Sequence, residues 1–156
     1  MQEAVFGAGC FWGIQDAFDQ IDGVVSTHVG YSGGHFDNPT YEDVCTGQTG
    51  HAEVVKVEFD ESVVTFTDLL NVFWSIHDPT TLNRQGPDIG SQYRSAIFYD
   101  TQEQKDLATK SMKDLESAKR FNNPIVTQIV PAKTFYPAEE YHQKYFQKKG
   151  ISHCKI

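Results

Sequence analysis

Two spacings of apolar residues divide this chain into segments. Ala4-Val5-Phe6 is a short apolar run that ends in a glycine turn, Gly7-Ala8-Gly9, and predicts a buried strand. Phe11, Ile14, Phe18 and Ile21 follow at steps of three or four and predict one face of a helix, which Gly23 stops. Residues 24–31 predict a second strand. Residues 32–50 are polar, contain Gly33-Gly34 and Asn38-Pro39, and predict a loop. A structureless loop of that length is usually functional or disordered.

Val55, Val57 and Phe59 alternate with Lys56 and Glu58, which predicts a third strand with one wet face. Thr67 is the expected cap of a helix carrying Leu69, Leu70, Phe73 and Ile76. Residues 78–92, with Pro79, Gly86, Pro87 and Gly90, predict a second long loop, and residues 95–99 a fourth strand. Thr101-Gln102-Glu103-Gln104 reads as a capping box for a helix with Leu107, Ser111 and Leu115 on one face. Residues 125–130 predict a fifth strand. Pro137 stands where a first-turn proline is tolerated, and residues 138–148 predict the last helix.

The first six elements run strand, helix, strand, strand, helix, strand. That is the split β-α-β order of a ferredoxin-like core. The expected fold is α+β, a two-layer sandwich of helices on a mixed, mainly antiparallel sheet. Long loops and an irregular C-terminal tail complete it. The whole chain, 1–156, reads as one domain.

Composition narrows the function. Eleven Phe, seven Tyr and two Trp among 156 residues argue for a real core and against disorder. The formal charge is −8, with 21 Asp+Glu against 13 Lys+Arg and no basic cluster, so nucleic acid is not an expected partner. No apolar run approaches the roughly 20 residues of a membrane helix. Met1 to Gly9 lacks the basic start and long apolar stretch of a secretion signal. Asn38-Pro39-Thr40 is blocked as a glycosylation acceptor by its proline. Three cysteines, Cys10, Cys45 and Cys154, are odd in number and form no C-x-x-C pair. Neither a disulfide framework nor a zinc knuckle is expected, and a reducing, cytoplasmic location is.

Cys10 carries the strongest chemical signal. It falls between a strand-ending glycine turn and a helix start, where free N–H groups and the helix dipole stabilise a thiolate. Phe11 and Trp12 follow at once. Phe11 fits the helix face as a core residue. Both can also wall a small apolar pocket beside a nucleophile. Gly7, Gly9 and Gly13 have one residue too many between them for a dinucleotide fingerprint. Glu53 opens the third strand just after a long loop. It is either a solvated strand-end carboxylate or a general acid whose pKa burial raises. Tyr41 and Tyr93 lie in or beside the loops, as packing residues or as O–H donors. No G-x-S-x-G occurs. A cysteine hydrolase would need a histidine base, for which His28, His51, His77 and His142 are candidates.

Gly9-Cys10-Phe11-Trp12-Gly13 resembles the signature of the A-type peptide methionine sulfoxide reductases. The resemblance continues through Gly30-Tyr31-Ser32-Gly33-Gly34, Asn38-Pro39-Thr40-Tyr41 and Thr49-Gly50-His51-Ala52-Glu53. It extends through Phe73-Trp74, His77-Asp78-Pro79, Arg84-Gln85-Gly86, Gly90-Ser91-Gln92-Tyr93-Arg94-Ser95 and Tyr141-His142-Gln143. These motifs span nearly the whole chain in the family's order.

The resemblance implies an activity and a role for each matching residue. Cys10 would attack the sulfoxide sulfur, and Phe11 and Trp12 would form the pocket for the substrate methyl group. Glu53 would protonate the sulfoxide oxygen, and Tyr41 and Tyr93 would donate hydrogen bonds to it. Asp88 would hold the substrate's backbone N–H. Its loop departs from the family pattern, with Gly86-Pro87-Asp88 in place of Gly-Asn-Asp.

The implied reaction reduces methionine-S-sulfoxide, in proteins or free, and leaves a cysteine sulfenic acid. Cys154 falls where the family keeps its resolving cysteine, preceded here by His153 and not Tyr. A Cys10–Cys154 disulfide reduced by thioredoxin would complete the cycle. The tail from Lys149 onward is then expected to be mobile, with Gly150 supplying flexibility. Cys45 reads as structural. No metal or organic cofactor is implied, and the family implies a monomer. A thiol redox sensor, or a module that binds oxidised methionine without turnover, are the alternatives.

Overall fold

A computed structural model of the chain describes residues 2–148. Cys154 and the tail expected to be mobile lie outside the described residues. Along the chain come β1 (Gln2–Ala8), α1 (Phe11–Asp19), β2 (Val24–Ser32), α2 (Tyr41–Cys45), β3 (Ala52–Phe59) and α3 (Phe66–Ser75). Then follow β4 (Arg84–Gln85), β5 (Asp88–Ile89), β6 (Ser95–Tyr99), α4 (Gln102–Ser117), β7 (Gln128–Pro131), β8 (Tyr136–Pro137) and α5 (Tyr145–Lys148). Among the described residues no helix is long and apolar enough to cross a membrane.

The larger sheet has the order β7-β6-β1-β3-β2-β8. β1 pairs antiparallel with β3 and β6, and β2 pairs antiparallel with β3 and β8. Only β6 and β7 run parallel. Its inner four strands, β6-β1-β3-β2, are the split β-α-β arrangement, with α1 between β1 and β2 and α3 between β3 and β6. Alternation along the strands separates two faces. Phe6, Val55, Val57, Phe59 and Ile97 join Ile14 and Phe18 of α1 and Leu69, Leu70 and Phe73 of α3 in the main core. Ala52, Val54, Ala96 and Phe98 point the other way, onto a smaller cluster with Phe135. Lys56 sits over the Phe135 ring at 4.8 Å, so the face expected to be wet is partly covered.

Three local expectations are corrected first. The cap of α3 is Thr65, not Thr67. Thr65 Oγ1 accepts from the Asp68 N–H (3.1 Å), and Asp68 accepts from the Thr65 N–H (3.0 Å). Thr67 has Leu70 three residues on and cannot complete such a box. Thr101 does cap α4, but Gln104 accepts from the Asp100 N–H (2.8 Å) and donates to the Glu3 carbonyl (2.8 Å). The fifth strand begins late, at Gln128, because the Val126 N–H is already spent on the Pro79 carbonyl (2.8 Å).

The last helix is largely absent. Pro137 lies in the edge strand opposite Gly30, where a missing N–H is harmless. A Cβ on Gly30 would lie 2.4 Å from the Tyr136 carbonyl, so only glycine allows this pairing. The Gln143 amide accepts from the Val29 N–H (3.0 Å) and donates to the Val29 carbonyl (2.9 Å), much as a neighbouring strand would. Lys144, at φ 56°, then breaks the run before α5. The first long loop is likewise not structureless. It contains α2, capped by Thr40 and Asp43.

Candidate active site

β1 ends at the middle of the sheet, and Gly9 turns the chain into α1. Gly9 has φ +103°, and a Cβ there would meet Gln85 Cγ at 2.9 Å. Only glycine permits both the turn and this approach. Cys10 is the half-buried N-cap of α1, with no side-chain cap bond. It stands where a helix presents unsatisfied N–H groups. One of these, the Phe11 N–H, donates to Glu53 Oε1 at 3.3 Å.

Glu53 sits on β3 opposite Tyr31 and is 1% exposed. Burial pushes its carboxyl up to about 8, the Phe11 N–H opposes this, and nearby Asp88 adds to it. The group is therefore protonated at neutral pH. Oε1 is accepting from Phe11, and Oε2 is buried with no hydrogen-bond partner among the described residues. The proton belongs on Oε2, where nothing in the described protein competes for it.

Tyr41 opens α2, and its N–H donates to Glu139 Oε2 at 3.0 Å. Its phenol bonds the Cys45 thiol. Burial, that bond and the Cys45 and Glu53 charges push it well above the ordinary phenol range. Tyr93 ends a 3-10 turn, Ser91–Tyr93. Burial pushes it up to about 12, with Glu53, Cys45, Asp88 and Cys10 adding to the effect. Both phenols thus keep their protons and remain donors beside Glu53. Asp88 lies in the β4–β5 hairpin, near enough for its charge to push up both Glu53 and Tyr93. Cys45, expected to be structural, is exposed, and its thiol touches a site residue.

Phe11 is 1% exposed, with ring contacts to Tyr31 (5.8 Å) and His142 (5.3 Å). Trp12 is half-buried, stacks on Tyr145 at 3.9 Å, and donates its indole N–H to His142 Nδ1 at 2.9 Å. The other candidate bases have different occupations. His77 bonds the Phe73 carbonyl and Ser95 Oγ, both at 2.7 Å, and burial lowers it to about 4. His51 accepts from the Gly34 N–H (3.0 Å) and bonds the Phe36 carbonyl (2.6 Å). His28 is exposed on β2.

Two further residues support the site. Glu139 accepts from the Tyr31 hydroxyl (3.0 Å) as well as from Tyr41. Gln85 clamps the Asp78 backbone, accepting from its N–H (2.9 Å) and donating to its carbonyl, while backing Gly9. Gln85 stood in the sequence as part of Arg84-Gln85-Gly86 but with no role attached, and Glu139 had only its place near Tyr141-His142-Gln143. Beside Cys10 opens a cleft of about 730 Å³, lined also by His77, Asp78, Asp88, Arg120 and Asn123. That volume suits a ligand larger than one side chain. Among the described residues no three His, Cys, Asp or Glu side chains converge to hold a metal ion.

Comparison with known proteins agrees along the whole chain. A family model described as peptide methionine sulfoxide reductase matches residues 2–156. The chain is 65% identical over 155 residues to the peptide methionine sulfoxide reductase MsrA of Methanothermobacter thermautotrophicus, covering 99% of this chain and 92% of that one. It is 55% identical to the MsrA of Acidobacterium capsulatum, with full coverage of both. Among solved structures it resembles reduced Mxr1 from Saccharomyces cerevisiae, at 37% identity and a TM-score of 0.91, covering 99% of this chain and 88% of that one. It also resembles Mxr1 in complex with Trx2, at 26% identity and a TM-score of 0.65, covering 92% and 84%.

Proposed function

We infer that this chain, which belongs to the peptide methionine sulfoxide reductase family, reduces methionine-S-sulfoxide to methionine by oxygen transfer to Cys10. The Cys10 thiolate attacks the sulfoxide sulfur while the Glu53 Oε2 proton passes to the sulfoxide oxygen. This forms a neutral adduct in which the Cys10 sulfur is bonded to the hydroxylated substrate sulfur. The hydroxyl then passes to the Cys10 sulfur as the S–S and substrate S–O bonds break, so methionine leaves with its sulfur lone pair and Cys10 becomes a sulfenic acid. Tyr41 and Tyr93 steady the oxygen through their phenols. Phe11 and Trp12 receive the methyl group, and Asp88 takes the substrate's backbone N–H. The cleft beside Cys10 accommodates the polypeptide around the oxidised residue.

Cys154 then attacks the sulfenic sulfur, expels water and forms the Cys10–Cys154 disulfide. A thioredoxin-type dithiol returns both to thiols. The likeness to Mxr1 bound to Trx2 supports that reductant. A cycle that depends on such a dithiol favours a cytoplasmic setting.

One observation carries the reading: a buried carboxyl held protonated, its one unengaged oxygen Oε2, bonded to the helix turn that bears Cys10. The deciding experiment is turnover of a peptide with one S-epimer methionine sulfoxide, with dithiothreitol, in wild type, Cys10→Ser and Glu53→Gln. Activity in wild type and none in Cys10→Ser supports the assignment. An active Cys10→Ser, or a wild type with reduced thiols and no turnover, sinks it in favour of the sensor or binding readings.

A further inference from the structure

His142 closes a 3-10 turn, Glu140–His142, and is 1% exposed. It accepts the Trp12 indole N–H on Nδ1 at 2.9 Å. An indole nitrogen can only donate. Nδ1 therefore carries no proton, the ring is neutral, and its proton sits on Nε2. Nε2 is buried with no hydrogen-bond partner among the described residues. A buried N–H without an acceptor is costly, and a purely structural histidine would avoid it. The ring is packed by Tyr141 (4.1 Å), Tyr41 (4.6 Å), Phe11 (5.3 Å) and Trp12 (5.7 Å).

The restraints on Trp12 follow from this. Tyr145 lies flat on one face of the indole, at 3.9 Å and 10° between planes. His142 fixes its polar edge. The indole is only half-buried, so part of it is left for a ligand, at a depth that this hydrogen bond helps to set.

We propose that His142 is the positioning residue of the methyl-binding wall: in its neutral form it holds the Trp12 indole at the depth that admits a methyl group and disfavours a longer one. The proposal rests on the reading of Trp12 as part of that wall. It assigns His142 neither proton transfer nor contact with the sulfoxide.

Protonation would undo the arrangement, because a doubly protonated ring sets one N–H against the indole N–H. The charged and titratable groups around the ring are Glu139 on its own segment, Glu42 and Tyr41 on α2, and Tyr141 beside it. α1 presents Phe11 and Trp12, which carry no charge. Burial lowers the His142 pKa below the ordinary imidazole value and outweighs Glu139 and Glu42, which raise it. The neutral form is thus held through neutral pH and lost only in acid.

The test compares KM and kcat for peptides carrying S-methionine sulfoxide or S-ethionine sulfoxide, from pH 5 to 8. The proteins are wild type, His142→Phe, His142→Asn and Trp12→Ala. Asn places an oxygen where Nδ1 was and cannot be protonated. His142→Phe keeps a ring and loses the acceptor. We expect His142→Phe to raise KM for the methyl substrate about 10-fold, with a smaller change in kcat, and to erode the preference for methyl over ethyl. Asn restores both, and the rise in KM that wild type shows in acid is absent from it.

An unchanged KM and preference in His142→Phe overturns the proposal, as does an acid rise in KM that persists in Asn. If His142→Phe does not fold, Asn and the wild-type pH profile still decide. An unchanged preference in Trp12→Ala instead removes the methyl-wall reading beneath it.

Discussion

Two glutamates stand on either side of this site and differ in charge. Glu53 on β3 has one donor, the Phe11 N–H, and burial holds it protonated up to about pH 8. Glu139, in the C-terminal segment, is half-buried. Burial pushes its pKa up too, but the Tyr41 N–H, its own backbone N–H and the Tyr31 hydroxyl more than offset that, and the net shift is downward. The same carboxyl is an acid in one place and an anion in the other, and the number of donors aimed at it decides which. The anion organises: it joins β2, α2 and the segment that carries His142. The acid reacts.

The largest test of this contrast is Glu53→Gln, which cannot give up a proton. Its kcat should fall about 10²- to 10⁴-fold at pH 7. The sign with pH is fixed by the raised pKa. Wild type holds its acid below about pH 8 and loses it above, so its rate falls on that side. The gap between wild type and variant therefore narrows in base. A gap that widens there would reverse the assignment.

The second test concerns His77, another group that burial keeps neutral, now with the charge signs exchanged. Its folded pKa is about 4 against an ordinary 6.5, so the unfolded chain binds the extra proton first. Stability is fully present above about pH 6.5 and falls as pH drops toward 4, by about 3 kcal/mol. Urea unfolding across that range reads it, and His77→Gln should flatten the part of the slope due to this group.

Third, Tyr31→Phe removes one donor from the anion and should cost about 2 kcal/mol at pH 7. Glu139, with a lowered pKa, contributes stability above the carboxyl range and loses it in acid. The deficit should therefore shrink as pH falls through that range. The smallest effect is expected far from the site. Thr65→Ala, which removes the hydroxyl that accepts the Asp68 N–H, should cost about 1 kcal/mol and leave turnover unchanged.

Periodic segments were legible in the sequence because their information is local. Phe11, Ile14 and Phe18 mark α1, and the alternation of Val55, Val57 and Phe59 marks β3. Cys10 was legible because a glycine turn before a helix is a local pattern. The protonation of Glu53 was not, since it depends on distant elements closing over β3. The C-terminal segment misled for a related reason. Pro137 looked like a helix start, but strand pairing with Gly30 and the Gln143 amide on Val29 took the backbone partners that a helix would have used. Thr67 misled by two positions, since only Thr65 has an acidic residue three positions on.

The place of β1 in the sheet has a consequence for biosynthesis. It leaves the ribosome before both strands that flank it, β3 and β6, whose residues are Ala52–Phe59 and Ser95–Tyr99. Until translation has passed Tyr99, the strand that leads into Cys10 lacks at least one of its partners. Cys10, the proposed nucleophile, is thus made long before Glu53, Tyr41 and Tyr93. On the proposed function a nascent chain carries an ordinary cysteine, and a reactive one exists only after the centre of the sheet has been filled.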